Sequence, residues 1–126
     1  MYIFDRRHSD RFAINGGKVH FESMSGDFVS AHLIDLTHSS VRFEIKEAMI
    51  IGDGIEVEID IPGFHIVSVK GRVVWTSDIL LDKPAFAVVQ FLPFGTDLRY
   101  NSMKTRDQVR TIIDKFCHRI KPSTPD

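Results

Sequence analysis

Between Lys18 and Phe91 the chain alternates apolar and polar residues in short runs. Val19 and Phe21 stand between Lys18, His20 and Glu22. Val41, Phe43 and Ile45 interleave with Arg42, Glu44 and Lys46, and Ile55, Val57, Ile59 and Ile61 interleave with Glu56, Glu58 and Asp60. A period of two sends successive side chains to opposite faces, so each run reads as a half-buried strand. Three further runs, Phe28 to Asp35, His65 to Trp75 and Ala85 to Phe91, are also extended in pattern. Asn15-Gly16-Gly17, Ser25-Gly26-Asp27, Gly52-Asp53-Gly54 and Pro62-Gly63 supply turns between them, and Pro93 with Gly95 ends the last. Gly71 inside a strand run predicts a bulge or bend there. About six strands with a turn every ten or so residues predict an antiparallel barrel or sandwich rather than a parallel α/β sheet. Closure would also remove exposed sheet edges.

After Gly95 the period changes. Val109, Ile112, Ile113, Phe116 and Ile120 form one apolar stripe at helical spacing. Thr105 followed by Gln108 reads as a capping box, and Pro122 ends the element. Lys115, His118, Arg119 and Lys121 gather where cations meet the negative end of a helix dipole. The stripe predicts a helix laid over an open end or face of the sheet, and its basic face is either solvated or a docking surface. The chain thus divides into a flexible arginine leader (1–12), a β-barrel (13–94) and a C-terminal helical region (97–121). Its 126 residues suit one domain.

Charge narrows the possible partners. The net charge is −1, but residues 1–12 carry +1, residues 13–96 carry −5 and residues 97–126 carry +3. An acidic middle argues against a nucleic-acid polymer as ligand, because phosphate-backbone affinity needs a continuous basic track. A small anion held by a few local arginines is compatible with it. The single cysteine, Cys117, forms no intramolecular disulfide and falls on the helix stripe, where a buried thiol is expected. No apolar run is long enough to span a bilayer and the N-terminus lacks a secretory apolar core, which predicts a cytoplasmic protein. The six histidines show no metal-ligand spacing, and no paired carboxylates, nucleophile elbow or phosphate loop is present. Neither a metal site, a cofactor nor an enzymatic activity is expected.

Two polar stretches remain. Arg6, Arg7 and Arg11 put three guanidiniums within six residues ahead of the first clear strand. Each is a planar fork of donors that matches a phosphate or a guanine edge, although a solvated leader paired with Asp5 and Asp10 would look the same. Asp35-Leu36-Thr37-His38-Ser39-Ser40 is a polar corner between two strands. Its Asp and Thr either bond local backbone or offer a carboxylate and a hydroxyl to a guanine.

Taken together, Arg7-x-x-x-Arg11, then Asp35-x-Thr37-x-x-Ser40 24 residues on, then Pro62-Gly63, Val73-Val74-Trp75 and Gln90-Phe91 resemble a PilZ domain. The resemblance runs from about Arg6 to Phe94. It implies an all-β fold, a six-stranded antiparallel PilZ-like β-barrel with a C-terminal amphipathic helix, that binds the bacterial second messenger cyclic di-GMP. By position, Arg7 and Arg11 would meet guanine and phosphate, Arg6 would add charge, and Asp35 and Thr37 would read a guanine edge beside Ser40. The resemblance also implies an adaptor whose leader orders on ligand binding and which signals through a protein partner in motility, pilus or exopolysaccharide machinery. Three positions depart from the family pattern, of which Val88, where the family has a glycine before the final strand's Phe, bears on packing rather than binding. Thr37 stands where the family has serine, keeping the hydroxyl. Ser40 stands where it has glycine, and a Cβ there costs about 1 kcal/mol or more if the position needs positive φ, or obstructs the ligand if it needs close approach. The alternative is therefore a degenerate PilZ-like barrel that binds no nucleotide and acts as a protein–protein interaction module.

Overall fold

The structure is a computed structural model that describes residues 12–120, with side chains described for residues 14–116. The elements are β1 (Phe12–Ala13), β2 (Lys18–Glu22), β3 (Phe28–Leu36), β4 (Ser40–Ile45), β5 (Gly54–Asp60), β6 (Val67–Thr76), β7 (Ala85–Phe91) and α1 (Met103–Ile120). Hydrogen bonding runs β3-β2-β5-β6-β7-β4, and β4 pairs back onto β3, so six antiparallel strands close into a barrel. The alternation in the sequence decides which side faces in. Val19, Val41, Phe43, Val57, Ile59, Val69, Ala87 and Val89 are wholly buried, while their neighbours along each strand lie outside. Burial of each such valine, isoleucine or phenylalanine side chain stabilises the fold by roughly 1.5–3 kcal/mol.

The two-residue strand β1 was not evident from the pattern. Phe12 pairs with Leu36 and Ala13 with Asp35, on the same edge of β3 that β2 occupies from Lys18↔His32 onward. Between them the ladder continues irregularly: Ile14 N–H donates to Ile34 O at 3.3 Å and Leu33 N–H to Gly17 O at 3.0 Å. Gly16, at φ 82°, makes the kink that only glycine adopts readily.

Gly71 does not make the bulge expected of it. The register on β7 slips between Val73 and Trp75, three residues on, and this slip turns both Val74 and Trp75 outward. Gly71 instead lies opposite Phe91, where a Cβ would stand 2.5 Å from Gln90 O. The helix cap also differs from the Thr105–Gln108 reading. Ser102 is the cap residue: its hydroxyl accepts from Thr105 N–H at 3.1 Å, and its carbonyl accepts from Arg106 N–H at 3.2 Å. The helix starts at Met103, so a cap at Thr105 would lie inside its first turn.

Val109, Ile112 and Ile113 join the barrel core, and Phe116 stacks on Phe64 at 6.2 Å in the β5–β6 connection. The helix therefore covers the barrel end at which β5 turns into β6. Cys117 and Ile120, the rest of the expected stripe, have side chains outside the described residues. In the segment before the helix, Arg99 donates to Asp97 from Nη2 (2.8 Å), Nε (3.1 Å) and its backbone N–H (2.8 Å), which holds the Asp97 carboxyl below its ordinary range. Among the described residues no helix is long and apolar enough to cross a membrane.

Asn101 pins this segment to the barrel. Buried at 4% exposure, its side chain accepts from Lys70 N–H at 2.8 Å and donates to the carbonyls of Lys70 and Leu92, each at 3.0 Å. Asn101→Ala strands one donor, Lys70 N–H, and one acceptor, Leu92 O, while Lys70 O keeps Leu92 N–H at 2.9 Å. The expected cost is about 2 kcal/mol in urea unfolding. A change under about 0.5 kcal/mol would mean that water replaces the amide without loss.

Candidate functional site

The site is the end of the barrel where the chain first joins it. β3 ends in Asp35 and Leu36, β4 begins at Ser40, and Thr37, His38 and Ser39 connect them. Thr37 N–H donates to Ser40 O at 2.8 Å and Ser39 N–H donates to Thr37 Oγ1 at 3.1 Å. The hydroxyls of Thr37 and Ser40 share a hydrogen bond at 2.9 Å, and Phe91 N–H, from β7, donates to Ser39 O at 2.8 Å. Small polar residues are required here because the corner folds on its own side chains, and all three of Asp35, Thr37 and Ser40 are buried.

Asp35 lies opposite Arg42 on β4. Val41 and Phe43, the neighbours of Arg42, point into the core, so Arg42 and its partner stand on the outer wall. Ile34 is the extra residue of a bulge between Leu33 and Asp35, which is how a strand with Leu33 facing in also keeps Leu36 facing in. Arg42 Nη2 donates to Asp35 Oδ2 at 2.5 Å, and Arg42 Nε is buried with no hydrogen-bond partner among the described residues. Arg42 belongs to the site and was not singled out in the sequence. Its signal was its place as the outward residue of the next strand, between two apolar neighbours.

Three sequence-predicted residues, Asp35, Thr37 and Ser40, thus come together in one corner. Arg6, Arg7 and Arg11 lie outside the described residues. The two conditions attached to Ser40 separate at this point. No residue other than glycine has positive φ among the described residues, and Ser40 sits in extended backbone at the start of β4. Its Cβ therefore carries no conformational penalty, and only the space that a ligand would need is affected. Among the described residues no cluster of three or more His, Cys, Asp or Glu is placed to hold a metal ion.

No family model and no curated protein matches the sequence. Solved structures do match the fold. The PilZ domain with c-di-GMP of Escherichia coli YcgR superposes with a TM-score of 0.68 at 11% identity, over 88% of this chain and 91% of that one. The K. pneumonia MrkH–c-di-GMP complex gives 0.74 at 11% identity, over 97% of this chain and 56% of that one. The Bacillus subtilis inhibitor of motility MotI/DgrA gives 0.62 at 7% identity, over 97% and 55%. The chain spans about half the length of the MrkH and MotI chains it resembles. The closed six-stranded barrel and the C-terminal helix are together the fold of a PilZ domain.

Proposed function

We propose that the chain is a cytoplasmic receptor for cyclic di-GMP, formed by the Arg6, Arg7 and Arg11 leader together with the corner of Asp35, Thr37 and Ser40. The observation that carries this reading is the pairing of β1 with the end of β3. Phe12 is the partner of Leu36, which directly precedes Thr37. Arg11 is one peptide from Phe12, about 3.8 Å between Cα atoms, and Arg7 can be no more than about 18 Å away along the chain. The covalent tether alone therefore keeps the RxxxR arginines within reach of the corner. A doubly anionic dinucleotide offers two phosphates and two guanines, which suits guanidinium forks on one side and hydroxyl and carboxylate groups on the other.

Binding would draw the leader onto the outer wall of the barrel beside Arg42 and change the surface shown to a partner protein. YcgR and MrkH, of the same fold, are both known with c-di-GMP, and MotI is an inhibitor of motility. These likenesses support a signalling role with no chemical step. The test is a calorimetric titration of the full chain with cyclic di-GMP. Saturable heat is expected, and its absence at high ligand concentration would overturn the receptor reading.

One observation favours the alternative of a nucleotide-free interaction module. Asp35 is already bonded to Arg42, and Thr37 to Ser40, so the polar groups of the corner have partners without a ligand. For cyclic di-GMP to use them, those bonds must be shared or exchanged.

A further inference from the structure

The barrel has a second end, and nothing among the described residues covers it. The Ser23–Asp27 turn, the connection from β4 to β5 and the connection from β6 to β7 all emerge there. Along the nine residues of β3 this end lies about 26 Å from the Asp35–Ser40 corner. Inside it is a cavity of about 540 Å³. Phe21, Val29, Ala31, Ile55 and Val73 line the cavity. Val29, Ala31 and Ile55 point inward by alternation yet stay only partly buried, because the space above them is empty.

The rim has two properties that closing the barrel does not require. Large apolar residues project from all three connections: Met24, Ile50, Ile51, Ile79, Leu80 and Leu81, with Leu81 at 99% exposure. The lining also carries five carboxylates, from Glu22, Asp27, Glu44, Glu47 and Asp53, against Lys46 as its one lysine, and Lys46 already pairs with Glu44 at 3.5 Å. Asp78 and Asp82 flank the apolar tip of the β6–β7 connection. A small molecule filling the cavity would leave the apolar tips in water. A lipid surface would meet a ring of negative charge, which anionic headgroups repel.

We infer that this open end of the barrel is a docking site for a cationic amphipathic segment of a partner protein, one that seats apolar side chains in the cavity and sets lysines or arginines against the acidic rim. The end is remote from the leader and the corner and uses none of their residues. The surface therefore works whether or not the chain binds cyclic di-GMP, and its failure would leave the receptor reading untouched.

The test titrates the isotopically labelled full chain, without nucleotide, with an 18-residue helical peptide of leucines on one face and lysines on the other. Its matched control carries glutamates in place of lysines. The Leu/Lys peptide is expected to shift the methyl resonances of Met24, Met49 and Ile50, to bind less tightly as salt rises, and to lose about tenfold in affinity to the double variant Glu47→Lys with Asp53→Lys. Both residues are exposed, so the reversal leaves the core intact. Ile50→Ser is expected to weaken binding without changing its salt dependence. Equal binding of both peptides, shifts confined to other faces, or no shift at all would overturn the proposal. So would binding to phosphatidylcholine vesicles, or filling of the cavity by decanol, with no competition from the Leu/Lys peptide.

Discussion

Replacing Gly71 with alanine is expected to lower the melting temperature by about 10 °C, corresponding to a loss of roughly 3 kcal/mol. A Cβ built at this position lies 2.5 Å from Gln90 O, 2.6 Å from Val89 Cγ1 and 3.2 Å from Gln90 C. Two of those three atoms are backbone of the neighbouring strand, so no side-chain rotation relieves the clash, and β6 and β7 must separate where they pair. The cause is packing rather than conformation, since the left-handed glycines are Gly16, Gly26, Gly52 and Gly63. Gly54 is the control. It is also in a strand, but its Cβ would meet nothing closer than Gly71 O at 4.0 Å. Gly54→Ala should be neutral, or stabilise by up to about 1 kcal/mol through loss of unfolded-state freedom. If Gly71→Ala unfolds at the wild-type temperature, the β6–β7 contact is not as close as described.

Gly71 also shows the limit of what the chain discloses on reading. A glycine interrupting an alternating run signals that something is unusual, but bulge, bend and close approach share that signal. Which applies depends on what the next strand places opposite, here Gln90 and Phe91. The same holds for Arg42. Alternation gave its outward direction, whereas its role as the partner of Asp35 depends on a register set by a bulge at Ile34. Five of the six barrel strands were legible because each alternates over at least five residues between turn formers, which fixes both element and face, while β7 reads only as an extended, mostly apolar run. A two-residue strand such as β1 has no period to read. The helix cap slid from Ser102 to Thr105 because Ser-x-x-Thr and Thr-x-x-Gln are both acceptable cap patterns, and only the path of the chain after Asn101 chooses between them. Of the site, the corner was legible both as chemistry and as a locally bonded turn, which the Ser39 N–H on Thr37 Oγ1 bears out, whereas the Asp35–Arg42 pair was not. The open end was not legible at all, since its carboxylates and apolar tips come from three connections far apart in the chain.

The two ends of the barrel divide the uneven charge of the sequence between them. The helical region carries most of the positive excess and lies at the end where β1 joins, while the acidic rim surrounds the other. A messenger anion at one end and a cationic partner at the other would not compete for the same groups.

Arg7→Ala is expected to weaken cyclic di-GMP binding by about 100-fold, and Arg11→Ala by a comparable factor, because each removes a charge-assisted fork worth about 3 kcal/mol on a phosphate or guanine. Neither should change the melting temperature of the ligand-free chain, since arginine side chains rarely contribute to an apolar core. Binding of Arg7→Ala as tight as wild type would remove the leader from the site while leaving a ligand on the barrel wall. Ser40→Gly probes the other half. It deletes the Cβ at the head of β4 and the hydroxyl that holds Thr37 Oγ1 at 2.9 Å, leaving Thr37 with the Ser39 N–H and the residue-40 carbonyl. The ligand gains room and a released hydroxyl, so affinity should rise several-fold, while stability falls by about 0.5–1 kcal/mol for a glycine in a strand. Weaker binding by Ser40→Gly would make the serine a contact rather than an obstacle. The departure from the family's glycine would then be a different way of holding the ligand instead of a step towards losing it.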